Sequence, residues 1–327
     1  MVERGRLAIL AALAGWPLAL KAIARNEDAQ LAPAPPIANA SGRFVEYDPF
    51  PSQRVAPRKV VVWLPPDYDR SMAPCSVLYM HDGQNLFAPA NPMGHGPWDV
   101  DKRLIALTGH GKARRTLVVG IWNTGLNRSR EYAPAAAIER LPPALQALVP
   151  GTSADDDHSP LSDQYLGFIT DELKPFIDRH FRTKSTAAHT FIMGSSMGGL
   201  ISLYALASRP DVFGGAGCLS THWPLTTNFP LLLPTVDPRV PEIASAFLDW
   251  LQTHLPNAGA HRLYFDHGTE NLDSLYEPYQ TRMDAIATAK GYRSGVDYLS
   301  RVFAGDDHNE LSWRNRLAIP LEFLLRC

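Results

Sequence analysis

The 327 residues include 31 Lys+Arg and 33 Asp+Glu, a formal net charge of −2, with 45% hydrophobic and 20% charged residues. That balance excludes a disordered or fibrous chain. With no long basic run, it also argues against a nucleic-acid backbone as the main partner. Three scattered cysteines, Cys75, Cys218 and Cys327, form no CxxC pair and support neither a disulfide framework nor a cysteine-rich zinc site.

In chain order the first predicted element is a leader. Met1–Arg6 carries two arginines, Leu7–Leu20 is an uncharged apolar run, and Ala22-Ile23-Ala24 supplies small residues. This order predicts a secretory signal peptide over 1–24, and hence export to the periplasm or the medium, with a cytoplasmic location as the alternative. As a helix the apolar run reaches about 21 Å, short of a ~30 Å hydrocarbon core, and Pro17 interrupts it, so no stable membrane span is expected. Residues 25–41 are Ala/Pro-rich and aperiodic, which reads as a flexible leader to one folded domain over 42–327.

Within that domain, Arg43–Tyr47 and Arg58–Leu64 read as strands. Continuous apolar runs follow at Ser76–Met80, Thr116–Trp122, Thr190–Met193, Ala216–Leu219, Arg262–Phe265 and Val296–Phe303. Unbroken apolarity suits strands covered on both faces. Helical periodicity predicts helices over Asp163–Phe181, with a bend at Pro175, and over Met197–Ser208, Pro241–Leu255, Tyr276–Lys290 and Asn309–Leu325. The alternation implies an α/β fold with a mostly parallel, doubly wound sheet flanked by helices, and a ligand site beyond the carboxyl ends of its strands. Residues 123–162, punctuated by five prolines, show no convincing core element; an insertion at about 134–162 is expected to border the site.

The stretch Thr190–Leu200 (TFIMGSSMGGL) reads strand, Gly194-Ser195-Ser196-Met197-Gly198, then helix. This matches the pattern G-x-S-x-G expected of a nucleophile elbow, in which glycines flank a cramped turn and lift the serine hydroxyl over the sheet. That register selects Ser196. The backbone N–H of Met197, at the helix start, is one predicted oxyanion donor. The loop His81–Phe87 supplies the second, from Gln84 or, less favoured, Gly83.

A serine hydroxyl needs a base, and in this arrangement the order along the chain is Ser, Asp/Glu, His. His308 follows the last strand-like run and so lies at the same sheet edge. His267 would reverse the order, His222 is expected to line the pocket and His81 to shape the oxyanion loop. The acid must come from the segment after the Arg262–Phe265 strand, where Asp266, Glu270 and Asp273 are available; Asp266 reads as part of the strand end, leaving Asp273 or Glu270. Asp155–His158 and Asp306–His308 are acid-rich, but consecutive side chains diverge, so no metal site is expected, and no cofactor is implied.

Together these pieces resemble the putative-esterase family of α/β-hydrolases, which includes feruloyl esterases, S-formylglutathione hydrolase, enterobactin-type siderophore esterases and mycolyltransferases. The matching residues are VLYMHDGQNLF at 77–87, Arg130-Glu131-Tyr132-Ala133-Pro134, YLGFITDELKPFID at 165–178, GSSMGG at 194–199 and AGDDHNELSW at 304–313. The resemblance implies a Ser-Asp-His hydrolase with Ser196, Asp273 and His308 in those roles. Asp273-Ser274-Leu275 before a long helix looks like the acid position of feruloyl esterases, whereas siderophore esterases of the group are thought to use only a Ser-His pair.

The substrate expected is a small-molecule ester. Phe87, Trp98, Trp122, Tyr132 and Trp223 are candidates for an aromatic-lined pocket, and Arg128 and Arg130 for binding an anionic group. Rival readings on the same fold are an acyltransferase, a non-catalytic binding module, or a hydrolase of thioesters or siderophore lactones.

Overall fold

The computed structural model describes residues 37–39, 41–88, 96–149, 159–226 and 239–327. The predicted signal peptide, nearly all of the 25–41 leader and the acidic Asp155–His158 tip lie outside the described residues. One nine-stranded sheet organises the rest: β1 (Ile37–Asn39), β2 (Gly42–Phe50), β3 (Arg58–Leu64), β4 (Ser76–His81), β5 (Thr116–Ile121), β6 (Thr190–Ser195), β7 (Gly215–Leu219), β8 (Arg262–Gly268) and β9 (Tyr298–Phe303). Their order is β1-β2-β3-β5-β4-β6-β7-β8-β9. The pairings β1/β2, β2/β3 and β3/β5 are antiparallel, and those from β5 through β4 to β9 are parallel.

The burial follows the sequence pattern. β4, β5, β6 and β7, the unbroken apolar runs, are buried at every position, while β2 and the edge strand β9 are only partly covered. One apolar layer packs the helical stretch from Ser162 to His180, Met197–Ser208 and Val240–His254 against one face of the sheet. The opposite face is covered by Val100–Gly109 and the C-terminal helices Glu310–Arg316 and Ala318–Leu325.

Four elements differ from the sequence expectation. The bend expected at Pro175 is a π-helical turn, Phe168–Leu173, between Ser162–Gly167 and Lys174–His180; proline lacks the N–H an α-helical ladder needs there, so the ladder widens. The C-terminal helix breaks at Leu317, where Pro320 cannot donate to the carbonyl four residues back. Helix Val100–Gly109 was not foreseen: it buries only Val100, Asp101, Leu104 and Leu107, too short an apolar stripe to stand out. Residues 123–149 are not devoid of core elements either. Short helices at Arg128–Tyr132, Ala135–Ile138 and Pro143–Gln146 put Tyr132, Ala137, Ile138, Leu141, Leu145 and Val149 into the main core. Four- and five-residue helices carry no readable period.

The topology fixes where a site can form. β4 lies between β5 and β6, so successive connections leave it in opposite directions and open a crevice at its carboxyl end. Asp82 and Ser196, which follow β4 and β6, flank that crevice. β8 and β9 run parallel to them and deliver their own loops to the same edge.

Candidate active site

Ser196 sits between β6 and helix Met197–Ser208 with φ 57° and ψ −124°, a conformation that non-glycine residues rarely hold without compensating contacts. Its N–H donates to Leu219 O at 2.9 Å, tying the turn to β7. A methyl group added at Gly194 would meet the Gly198 backbone at 2.9 Å, and one at Gly199 would meet Thr221 Oγ1 at 2.9 Å. At Gly198 the nearest atom would be His81 Cβ at 3.5 Å, an ordinary contact. The elbow therefore demands glycine at 194 and 199, and the sequence motif mislocated the second of the two.

His308 arrives on the loop after β9. Its Nε2 lies 2.9 Å from Ser196 Oγ and its Nδ1 2.6 Å from Asp273 Oδ1. The ring is wedged edge-on between Trp313 and Tyr276, with centroids 5.1 and 5.7 Å away. With Asp273 ionised, Nδ1–H donates to the carboxylate and leaves the Nε2 lone pair facing the serine hydroxyl. Burial pushes the Asp273 carboxyl up, but its hydrogen bond and electrostatic attraction to His308, and hydrogen bonds from Ser220 and the Gly268 N–H, outweigh this and hold it below the ordinary carboxylate range.

The two loops that carry His308 and Asp273 are zipped together. A Cβ at Gly268 would collide with Asp306 O, so only glycine lets the strands' ends approach this closely. Thr269 and Glu270 N–H groups donate to Asp306 O, Gly305 N–H donates to Thr269 Oγ1, and Asn271 Nδ2 to Asp307 Oδ2. Asn309 caps helix Glu310–Arg316 by accepting from Ser312 N–H at 3.0 Å. Glu270, the alternative acid, is exposed; its carboxylate accepts from Thr269 Oγ1 at 3.3 Å, and Asp273 occupies the place beside His308. Asp266 is a strand-end residue as expected, bonded to Tyr264 and Arg316. Asp306 bonds Arg316 and Asp307 bonds the His308 N–H and Asn271, so these carboxylates are engaged within the protein.

Across the crevice, Asp82 (φ 53°) opens the turn Gly83–Asn85. Gly83 is required because a Cβ would strike β5 at 2.8 Å from Gly120 C, not because substrate approaches it. Arg128 grips both Asp82 oxygens at 2.8 Å, and Asn123 Nδ2 donates to Oδ1 at 2.7 Å. Beneath this loop, the fully buried pair Arg58–Glu131 stacks under Tyr165, whose hydroxyl bonds His81 Nδ1 at 2.9 Å. Arg128 and Tyr132 thus brace the turn after β4, while Arg130 donates to Ser159 O. Gln84 is half-buried beside Asn123, and the Met197 N–H, first in its helix, has no intrahelical carbonyl to bond.

The aromatic pocket expected from the sequence is corrected. Trp98 packs on Trp313, Trp223 stacks on Phe265, Phe87 meets Phe44 edge-on and Tyr132 lies against His81 and Tyr165. All four rings are core, with their faces already covered. Trp122 alone of the set is half-exposed, under Lys59.

Two further histidines are buried neutral. Burial pushes His81 down to about 3 and His222 down to about 4, from 6.5. His222 donates through Nε2 to Thr226 O and accepts from Tyr276 OH at Nδ1, a pattern that suits the uncharged ring. The unfolded chain binds these two protons near pH 6.5 and the native state resists them. The stability they contribute is therefore complete above pH 6.5 and is lost as pH falls toward 4. At pH 5 each ring costs about 2 kcal/mol relative to pH 7.5. Urea unfolding at the two pH values should show a loss of about 4 kcal/mol, roughly halved in His222→Gln; a flat profile would contradict the buried neutral assignment.

With this geometry in view, comparison with known proteins defines the class. The putative esterase family profile matches residues 55–323, and the chain belongs to that family. Among curated proteins it is similar to the uncharacterized protein YbbA of Bacillus subtilis (strain 168), 26% identical over 170 residues, covering 51% of this chain and 58% of that one. Among solved structures it resembles the enterobactin esterase FES from Shigella flexneri, at 19% identity and a TM-score of 0.59, over 88% of this chain and 60% of the other. It also resembles a ferulic acid esterase, at 19% identity and a TM-score of 0.58, over 86% and 97% of the two chains. An IroE-like serine hydrolase from Shewanella oneidensis matches at 19% identity and a TM-score of 0.56, over 86% and 79%. These likenesses show a shared α/β-hydrolase fold. The match spans about 60% of the length of YbbA and of the FES chain. Among the described residues no helix is long and apolar enough to cross a membrane.

Proposed function

We propose that the chain is a carboxylic-ester hydrolase that works through an acyl-enzyme on Ser196. The observation that carries this reading is the unbroken hydrogen-bonded row Ser196 Oγ–His308 Nε2 and His308 Nδ1–Asp273, set on an elbow in a member of an esterase family. His308 takes the hydroxyl proton as Ser196 Oγ attacks the ester carbonyl. It then returns that proton to the departing alkoxide as the C–O bond breaks. Water repeats the sequence on the acyl-enzyme and releases the acid. Asp273 keeps the imidazole in the right tautomer and stabilises its charged form. The N–H groups of Met197 and Gln84 receive the tetrahedral oxyanion, the first with the favourable polarity of a helix N-terminus behind it.

The substrate in this reading is a small-molecule ester, with no aromatic slot to receive it. Export is part of the same reading, supported by the basic-apolar-small order of residues 1–24. A fluorophosphonate probe tests the chemistry: it should form one covalent adduct, mapping to Ser196, and p-nitrophenyl acetate hydrolysis should disappear in proportion to labelling. Full hydrolysis by fully labelled protein would overturn the proposal.

A further inference from the structure

The acid of the row is held by a serine whose hydroxyl has only one direction left to point. Ser220 lies one residue beyond β7, is fully buried, and has φ 41°, a value that non-glycine residues hold only where their surroundings compel it. Its N–H donates to Asp266 O at 2.8 Å. A hydroxyl has one proton to give and two lone pairs to receive with. Both lone pairs are taken here: Trp313 Nε1–H donates to Ser220 Oγ at 2.9 Å and Arg316 Nη2–H at 2.7 Å. The remaining proton goes to Asp273 Oδ2, 2.6 Å away. Gly268 N–H donates to the same Oδ2, which leaves Oδ1 to His308.

Both groups that saturate Ser220 stand on helix Glu310–Arg316, which begins two residues after His308. Arg316, 3% exposed, extends the arrangement. Its Nη2 also bonds Asp266 Oδ1 at 2.9 Å and lies 3.8 Å from Asp273 Oδ2, while its Nη1 bonds Asp306 Oδ2 at 2.8 Å, two residues before the base. Burial works against the guanidinium's charge, and Asp266, Asp306 and Asp273 overcome that, raising it. One helix therefore positions the base through its N-terminal loop and the acid through Ser220.

We infer that Ser220 is a positioning residue of the acyl-transfer site, which, saturated by Trp313 and Arg316, fixes the rotation of the Asp273 carboxylate so that Oδ1 meets His308. The inference deepens the proposed triad and rests on it. Its consequence is a loss in the chemical step with no loss in substrate binding, because Ser220 is fully buried and its hydroxyl is engaged by Asp273, Trp313 and Arg316.

The test uses full-length protein and p-nitrophenyl acetate. Ser220→Ala removes the donor to Asp273 and should lower kcat about 10- to 100-fold, the range carried by outer partners of catalytic ligands, with KM changed less than about twofold. Trp313→Phe keeps the ring against His308 and removes only the N–H, freeing one lone pair. It should lower kcat about 3- to 10-fold, again at unchanged KM, and it provides the reading should Ser220→Ala fail to fold. Unchanged kcat in either folded variant, or a rise in KM that accounts for the whole loss, would overturn the inference. Ser196→Ala assayed beside them separates the two levels: if it is inactive while Ser220→Ala is unimpaired, the triad stands and the positioning role falls; if it is active, the triad itself falls.

Discussion

Ser196→Ala should lower kcat for p-nitrophenyl acetate by on the order of 10⁴- to 10⁶-fold while leaving the fold intact. The substitution keeps Cβ and deletes only Oγ, the atom 2.9 Å from His308 Nε2. Alanine is no worse than serine at φ 57°, and the turn's backbone bonds, Ser196 N–H to Leu219 O and Gly199 N–H to Ser196 O, do not involve the side chain. The thermal midpoint should therefore move little. Some rate above that of water should persist, because the proposed oxyanion donors, the Met197 and Gln84 N–H groups, can still polarise an ester. Initial rates and a calorimetric scan on the same preparation check both halves of the expectation. A folded Ser196→Ala protein that retains more than about a hundredth of the wild-type rate would place the chemistry elsewhere.

What the sequence made readable was local or topological. The apolar run, glycines and helix of residues 190–200 are contiguous, so the elbow shows without knowledge of the fold. β4, β6, β8 and β9 each show as apolar runs, and parallel strands must deliver their following loops to one edge, which brings His308 near Ser196 before any coordinate is known. What stayed hidden depended on the direction in which a side chain turns. Glu270 and Asp273 are three residues apart, and only the turn Asn271–Leu275 decides that Asp273 faces inward while Glu270 faces solvent. Trp98 and Trp223 sit in loops and Tyr132 ends a five-residue helix, places where an aromatic ring serves a pocket or a core equally well, and packing sends all three into the core. The partners of Asp273 were out of reach for a different reason. Ser220 lies 53 residues before it, and Trp313 and Arg316 lie on a helix whose periodicity reports burial but not hydrogen bonds. The steric need for glycine at 199 rather than 198 likewise arises from Thr221, on a neighbouring strand's loop.

Asp273→Asn should cost about 10⁴-fold in kcat, and Glu270→Gln less than about threefold. The hydrogen-bond inventory explains the first loss. Oδ2 of Asp273 receives two donors, Ser220 O–H and Gly268 N–H, while Oδ1 receives the His308 Nδ1–H. Asparagine offers one carbonyl oxygen and one NH₂ group, and the oxygen is drawn to the side where two fixed donors wait. The NH₂ then faces His308 Nδ1, which must accept, so the ring proton moves to Nε2. In that tautomer Nε2 has no lone pair for the Ser196 proton, and the nucleophile loses its base although every heavy atom stays in place. Glu270 has no such link: its exposed carboxylate meets Thr269, and its loss leaves the imidazole untouched. The pair of variants is read together, by kcat on p-nitrophenyl acetate and by the rate of fluorophosphonate labelling, which should fall in parallel for Asp273→Asn. A large loss in Glu270→Gln with near-normal turnover in Asp273→Asn would reverse the assignment of the acid.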